Sequence, residues 1–287
     1  MKYGLLVLII LTSCSVLKKT EKAVIHEKKV APKAKAIEVI NKTIRPGEVQ
    51  KIKFTYEKDV KAITCLENSI PVYREKSEYA AFVTASYWAK LEPFDCTVEN
   101  NVIARFNVVD KDFPAETLNV DMKRVVLNEK DQKRVQKEQI FLNSVYRQSP
   151  DYPLFQDSFE LPIKADVTSI YGSKRVFNNK KQTQHLGTDF RAPVGEIIRA
   201  ANTGKVVVAR DLFFTGNTVT IDHGLGIFTI YGHLSKLSTV EGEVVPKGAI
   251  IGLSGATGRV TGPHLHWGVK VNGQFIEGES LVAASKE

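Results

Sequence analysis

Short stretches in which apolar and polar residues alternate recur along this 287-residue chain. Ile52, Phe54 and Tyr56 alternate with Lys53 and Thr55, and Ala104, Phe106 and Val108 alternate with Arg105 and Asn107. Successive strand side chains point to opposite faces, so period-two alternation predicts half-buried strands. Pro46-Gly47 and Asn100-Asn101 supply turn residues between such runs. Residues 37–115 are therefore expected to form a small β-sandwich, with an immunoglobulin-like arrangement as one form it could take. The pattern changes near Asn128. A helix is predicted over 128–147, with Asn128 as N-cap, Glu129 and Asp131 in the first turn, Arg147 in the last, and Pro150 and Pro153 beyond it. Val135, Phe141, Leu142, Val145 and Tyr146 give it a partial apolar stripe. Residues 116–158 thus read as a helical connector. Strands return at 205–209, 217–222 and 227–231, and Asn272-Gly273 inside 269–276 predicts a hairpin with a type I′ turn. The expected fold class is mainly β: sandwich, helical connector, and an antiparallel β domain over 159–287.

The N-terminus reads differently. Met1-Lys2-Tyr3 precedes an apolar run over residues 4–11, too short to span a bilayer but suited to the core of a secretory signal. It ends in Leu11-Thr12-Ser13-Cys14, which resembles a bacterial lipobox, in which the cysteine is lipidated and becomes the mature N-terminus. Residues 1–14 are then a lipoprotein signal peptide, and Cys14 carries a membrane anchor. The net charge of +8 invites a nucleic-acid reading, but its location argues against one. Residues 15–36 hold seven lysines and two glutamates, and Lys2 adds one more charge, which leaves +2 for 37–287. A nucleic-acid-binding domain concentrates positive charge on its folded surface, whereas here the charge lies in a Lys-rich linker. Attraction of that linker to anionic lipid or acidic wall polymers is a secondary expectation. Export also implies an oxidising compartment, so the two remaining cysteines, Cys65 and Cys96, are expected to pair, bridging the sheets of the sandwich.

Candidate chemistry lies in the C-terminal half. Of six histidines, five fall between 185 and 266, and three of these occur in two tight spacings, His185-Leu-Gly-Thr-Asp189 and His264-Leu265-His266. On a strand, His264 and His266 would share one face, so one can ligate a metal while its neighbour reaches the water bound to it. His185 and Asp189 add a nitrogen and a carboxylate oxygen. Two histidines and an aspartate leave a fourth tetrahedral position open, which is the catalytic rather than the structural arrangement for zinc. His223, in Asp222-His223-Gly224, reads as structural, and His26 as incidental.

These motifs carry a resemblance. The segment 166–282 is similar to the M23 family of metallopeptidases, of the lysostaphin/LytM type. The similarity lies in Tyr171-Gly172-Ser173-Lys174-Arg175, in His185 to Asp189 with Phe190, in Tyr231-Gly232-His233-Leu234, and in Gly258 followed by Pro263-His264-Leu265-His266-Trp267. The resemblance implies one Zn²⁺ per chain bound by His185, Asp189 and His266. It implies His233 and His264 as unligated catalytic residues, one acting as general base. It implies peptidoglycan stem peptides as substrate, cut either at direct D-Ala–diaminopimelate cross-links or at glycyl bridges. Tyr231 is a candidate groove residue, with burial in the core as the alternative. The lipobox places such an enzyme at a membrane beside the wall, and Ser15 favours the outer membrane, facing the periplasm. The competing expectation is a non-catalytic relative that activates a partner, but such relatives lack zinc ligands or catalytic histidines that are all present here. The role of residues 37–115 is not legible, and shielding of the groove is one expectation.

Overall fold

The computed structural model describes residues 38–118, 127–177 and 181–287. The signal peptide, Cys14 and the Lys-rich linker lie outside these described residues. Residues 37–287 group as one compact unit, mainly β. Among the described residues, no helix is long and apolar enough to cross a membrane.

Eight strands open the unit: β1 (Ile40–Ile44), β2 (Val49–Phe54), β3 (Ala62–Cys65), β4 (Asn68–Pro71), β5 (Tyr73–Glu75), β6 (Glu78–Thr84), β7 (Phe94–Val98) and β8 (Asn101–Val108). They form two sheets, in the orders β1-β8-β7-β3-β4 and β2-β6-β5. Both contribute to one core that includes Ile44, Ile52, Phe54, Ile63, Tyr79 and Phe106. The alternation in β8 holds, with Ala104, Phe106 and Val108 buried and Arg105 and Asn107 exposed. β1 runs parallel to β8, and the other pairings are antiparallel. Cys65 and Cys96 are disulfide-bonded. They sit directly opposite one another on the adjacent strands β3 and β7, so the bridge staples one sheet and does not span the two, contrary to the expectation. The oxidising compartment argues that the cysteines pair, but only the strand register says which strand lies beside which.

β9 (Ala115–Leu118) leaves the sandwich and pairs in parallel with β11 (Lys174–Phe177), which itself pairs with β12 (Lys181–Gln184). The stretch expected to be a connector from 116 onward thus begins inside a sheet of the C-terminal half. α1 (Glu129–Val145) starts as predicted, with Asn128 Oδ1 accepting from the Asp131 backbone N–H at 2.9 Å. It ends two residues short of Arg147. None of its residues is buried, so the partial stripe does not enter a core. Polar and ring contacts hold it at the surface: Arg134 pairs with Asp211 at 2.8 Å, Glu138 accepts from the Phe213 N–H at 2.9 Å, and the Arg210 guanidinium lies 4.1 Å from the Phe141 ring centre.

The C-terminal half adds β10 (Val167–Ser169), β13 (Thr188–Arg191), β14 (Ile197–Arg199), β15 (Gly204–Leu212), β16 (Gly216–Asp222) and β17 (Ile227–Leu234). It continues with β18 (Lys236–Leu237), β19 (Val244–Val245), β20 (Ile250–Leu253), β21 (His264–Val271) and β22 (Gln274–Ile276). The main sheet is antiparallel in the order β10-β13-β21-β17-β16-β15-β19, with β22 paired to β21. Asn272 and Gly273 both have positive φ, 49° and 80°, as the predicted type I′ turn requires. β17 is buried at every position, consistent with a central strand covered on both faces. A short helix that the sequence reading does not anticipate, α2 (Gly278–Ala284), closes the chain and buries Leu281. The second core draws Val49 and Phe82 from the sandwich strands together with Phe155 and Phe159. Phe82 and Tyr73 pack on Phe155 at ring separations of 6.2 and 5.9 Å, an aromatic seam joining the halves.

Candidate active site

The strand register gathers the motifs. β13 and β21 are antiparallel with Asp189 opposite His266 and Arg191 opposite His264, while on the other side of β21 Gly232 of β17 faces His266. The i, i+2 spacing turns His264 and His266 into a cleft of about 770 Å³ and sends Leu265 and Trp267 into the core, both fully buried. His185 follows β12 directly. Its N–H donates to the Ser173 carbonyl at 2.9 Å and its carbonyl accepts from Gly172 N–H at 2.7 Å, fixing it at the cleft edge.

Three potential ligand atoms converge. His185 Nε2 lies 3.0 Å from Asp189 Oδ1, His266 Nδ1 lies 2.8 Å from the same oxygen, and the two nitrogens are 3.1 Å apart. A tetrahedral ion with bonds near 2.0–2.1 Å spaces its ligands by about 3.3 Å, so an opening of a few tenths of an ångström accommodates one. The tautomer of His185 also fits. Its Nδ1 is 3.0 Å from the Ile170 carbonyl, which can only accept, so Nδ1 carries the proton and Nε2 presents its lone pair. Burial works against ionisation of Asp189, yet the imidazoles of His185 and His266 beside it prevail and hold it well below the usual carboxylate range. Burial depresses His266, outweighing the pull of Asp189. A carboxylate and neutral imidazoles are the forms that bind metal.

His233 and His264 stand beside this set, their ring centroids 4.7 Å apart. Each has its Nδ1 2.8 Å from a backbone carbonyl, Thr257 for His233 and Gly262 for His264, so each carries its proton on Nδ1 and keeps Nε2 as the basic atom. His264 Nε2 lies 3.7 Å from Asp189 Oδ1. Burial, reinforced by the neighbouring His266 and His264, lowers His233 to about 3. His233 also sits at φ 63°, a left-handed conformation that costs a non-glycine residue about 1–3 kcal/mol. Its N–H donates to the Thr215 carbonyl at 2.6 Å, so two loops hold the ring in place.

One sequence candidate, Tyr231, lies elsewhere, as does His223, the histidine read as structural. Tyr231 is fully buried, its hydroxyl accepting from Ala201 N–H at 2.8 Å and lying 2.8 Å from Thr229 Oγ1, so it belongs to the core and not to the groove. His223 is fully buried, with Nδ1 2.8 Å from the Thr203 carbonyl and Nε2 2.7 Å from Thr229 Oγ1. Other contacts went unread in the sequence. Arg175 Nη2 donates to Asp189 Oδ2 at 2.6 Å, Arg175 Nε lies 3.4 Å from Glu116 Oε2, and Ser169 Oγ sits between Glu116 Oε1 (2.9 Å) and His185 Nδ1 (3.1 Å). Arg175 stands in one of the resembling motifs, without a role assigned there. Glu116 gives no signal at all, because only the fold brings it near.

The segment that holds these ligands, residues 183–277, matches the family model for Peptidase family M23. This chain carries an M23 peptidase domain. Over 111 residues the chain is 46% identical to the peptidoglycan DD-endopeptidase ShyA of Vibrio cholerae, covering 38% of this chain and 26% of that protein. Over 103 residues it is 41% identical to the DD-carboxypeptidase/endopeptidase Mpg of Neisseria meningitidis, covering 36% and 24% respectively. The chain thus spans about a quarter of the length of these curated relatives. A solved structure of a candidate M23 peptidase from Pseudomonas aeruginosa aligns with a TM-score of 0.64 at 28% identity, covering 83% of this chain and 95% of that one. Coverage that wide takes in more than the M23 domain, so much of the sandwich half recurs beside it there.

Proposed function

We propose that this chain is a zinc-dependent endopeptidase that hydrolyses peptide cross-links of bacterial peptidoglycan, with the D-Ala–diaminopimelate bond as its target. The observation that carries the reading is the convergence of His185 Nε2, Asp189 Oδ1 and His266 Nδ1 beside two histidines held with Nε2 free of its proton. The bond assignment leans on the names of ShyA and Mpg. The donor set of two nitrogens and one carboxylate oxygen suits zinc and leaves one tetrahedral position open. Zinc held there supplies a Lewis acid that brings the pKa of water to about 7 and polarises an amide carbonyl.

The chain's own residues do the rest. His185, Asp189 and His266 bind and orient. One of His264 and His233 takes the proton from the attacking water on Nε2 and in the protonated form donates it to the departing amine, while the other steadies the developing oxyanion. Their Nδ1 protons stay on the carbonyls of Gly262 and Thr257, so each ring works through one nitrogen. Lipidation at Cys14 holds the enzyme at the outer membrane facing the periplasm, with residues 15–36 as tether. The lipobox-like Leu11-Thr12-Ser13-Cys14 supports that placement.

Digestion of purified peptidoglycan by the zinc-loaded chain, followed by mass spectrometry, tests the proposal. Cross-linked dimers should disappear as intact monomers accumulate, and a chelator should stop the change until zinc is restored. Folded, zinc-loaded protein that leaves dimers intact would refute the activity. Transfer of labelled palmitate to the wild-type chain but not to a Cys14→Ala variant tests the anchor.

A further inference from the structure

We propose that Glu116 is a positioning residue for two of the three metal ligands, and that through it β9, which precedes the segment matching the M23 family, sets the affinity of the site for its ion. The inference rests on the metal-site reading above. Glu116 lies on β9, outside the segment that matches the M23 family, and the parallel pairing puts it opposite Arg175. From this one carboxylate two arms run to the site. In the first, Glu116 accepts from Ser169 Oγ at 2.9 and 3.0 Å, and Ser169 Oγ lies 3.1 Å from His185 Nδ1. In the second, Glu116 Oε2 lies 3.4 Å from Arg175 Nε, and Arg175 Nη2 donates to Asp189 Oδ2 at 2.6 Å. Arg175 also donates to Ser169 Oγ at 2.9 Å, tying the arms together.

The proton directions agree along the first arm. The His185 Nδ1–H faces Ser169 Oγ as well as the Ile170 carbonyl, the Ser169 hydroxyl proton points to Glu116, and the negative charge at the end makes the serine a better acceptor. Such support fixes the imidazole tautomer and raises the basicity of Nε2. On the second arm, the guanidinium occupies Oδ2 of Asp189 and leaves Oδ1 to the histidines. An arginine beside a metal-binding carboxylate opposes a dication, and Glu116 offsets that charge. The side chains of Glu116, Arg175 and Asp189 are 26%, 18% and 7% exposed, so water screens these interactions weakly.

β9 does not depend on Glu116 for its position. The Lys174 N–H donates to the Pro114 carbonyl at 2.8 Å, Lys111 pairs with Glu277 at 2.9 Å, and the Phe113 ring lies against Gly172 and packs 6.3 Å from the Tyr171 ring. Glu116→Gln should therefore remove the charge without releasing the strand.

The test uses the full chain, stripped of metal, as wild type, Glu116→Gln, Ser169→Ala and the double variant. Zinc dissociation constants are read by competition with a chromophoric chelator, the visible spectrum of the cobalt-loaded form reports ligand geometry, and the melting temperature of the metal-free form reports the fold. Glu116→Gln should weaken zinc binding about tenfold and alter the cobalt spectrum, with the metal-free melting temperature unchanged. Ser169→Ala should weaken binding in the same direction, and the double variant should lose less than the product of the two, because both act on His185. Ser169→Ala leaves β9 untouched, so it decides the matter if Glu116→Gln misfolds. Dissociation constants within about twofold of wild type in the folded variants would overturn the proposal. A wild-type chain that takes up no zinc would instead overturn the metal-site reading on which it stands.

Discussion

Acidification should destabilise this fold through one buried ring. His223 is fully buried against the Phe159 ring, with a centroid separation of 5.0 Å, and both nitrogens are engaged by Thr203 and Thr229. The Thr203 carbonyl requires a proton on Nδ1, and the chain Tyr231–Thr229–His223 ends on Nε2 as acceptor. A second proton has no partner there, and burial lowers the pKa from 6.5 to about 4. The unfolded chain therefore binds more protons than the native one between those values, so the stabilisation is full above about pH 6.5 and is lost as pH falls. Integrated over that interval, stability falls by about 2 kcal/mol by pH 5 and about 3 kcal/mol by pH 4 from this residue alone. Urea unfolding of metal-free wild type and His223→Gln at a series of pH values isolates the effect, because other titrating groups cancel in the difference. The wild-type advantage should shrink by about 1.4 kcal/mol per pH unit in mid-range. A difference that stays flat from pH 8 to 5 would refute the reasoning and mean that the ring can charge in place.

Three other outcomes follow from the same geometry. A Cβ on Gly187 would come 2.5 Å from His266 Cε1 and 2.8 Å from the Trp267 carbonyl, so Gly187→Ala should displace a ligand ring; zinc affinity should fall at least about tenfold by chelator competition while the sheet signature in circular dichroism persists. His264→Ala and His233→Ala should each keep one zinc per chain by elemental analysis yet lower kcat about 10²–10⁴-fold, and loss of bound zinc instead would assign them to metal binding. The disulfide spans a sequence separation of 31, so replacing both cysteines with serine should cost about 3–4 kcal/mol in urea unfolding, with zinc binding retained in the folded protein.

How much of this could be read in the sequence differs residue by residue. The Asn-Gly hairpin and the Asn128 cap were legible because they depend on a few adjacent residues. The common face of His264 and His266 was legible because strand periodicity fixes it. Alternation says which face a side chain occupies, but not which strand lies alongside, and that is where the reading went astray. It placed Cys65 and Cys96 on two sheets when they face each other within one. It left Tyr231 a possible groove residue, although β17 is covered on both faces. α2 is seven residues long, too short for periodicity to announce it. Glu116 and Arg175 meet only because β9 crosses to β11 in parallel, a pairing 59 residues apart that no local pattern encodes.

That crossing bears on how such a protein can be recombined. A graft of residues 183–277 onto another scaffold would carry His185, Asp189 and His266, but would leave behind β9 and β11, the two strands on which β12 builds the sheet leading into His185. The unit that carries an intact site is therefore longer than the stretch that matches the family, and the natural place to cut this chain for domain exchange lies before the sandwich, near residue 37.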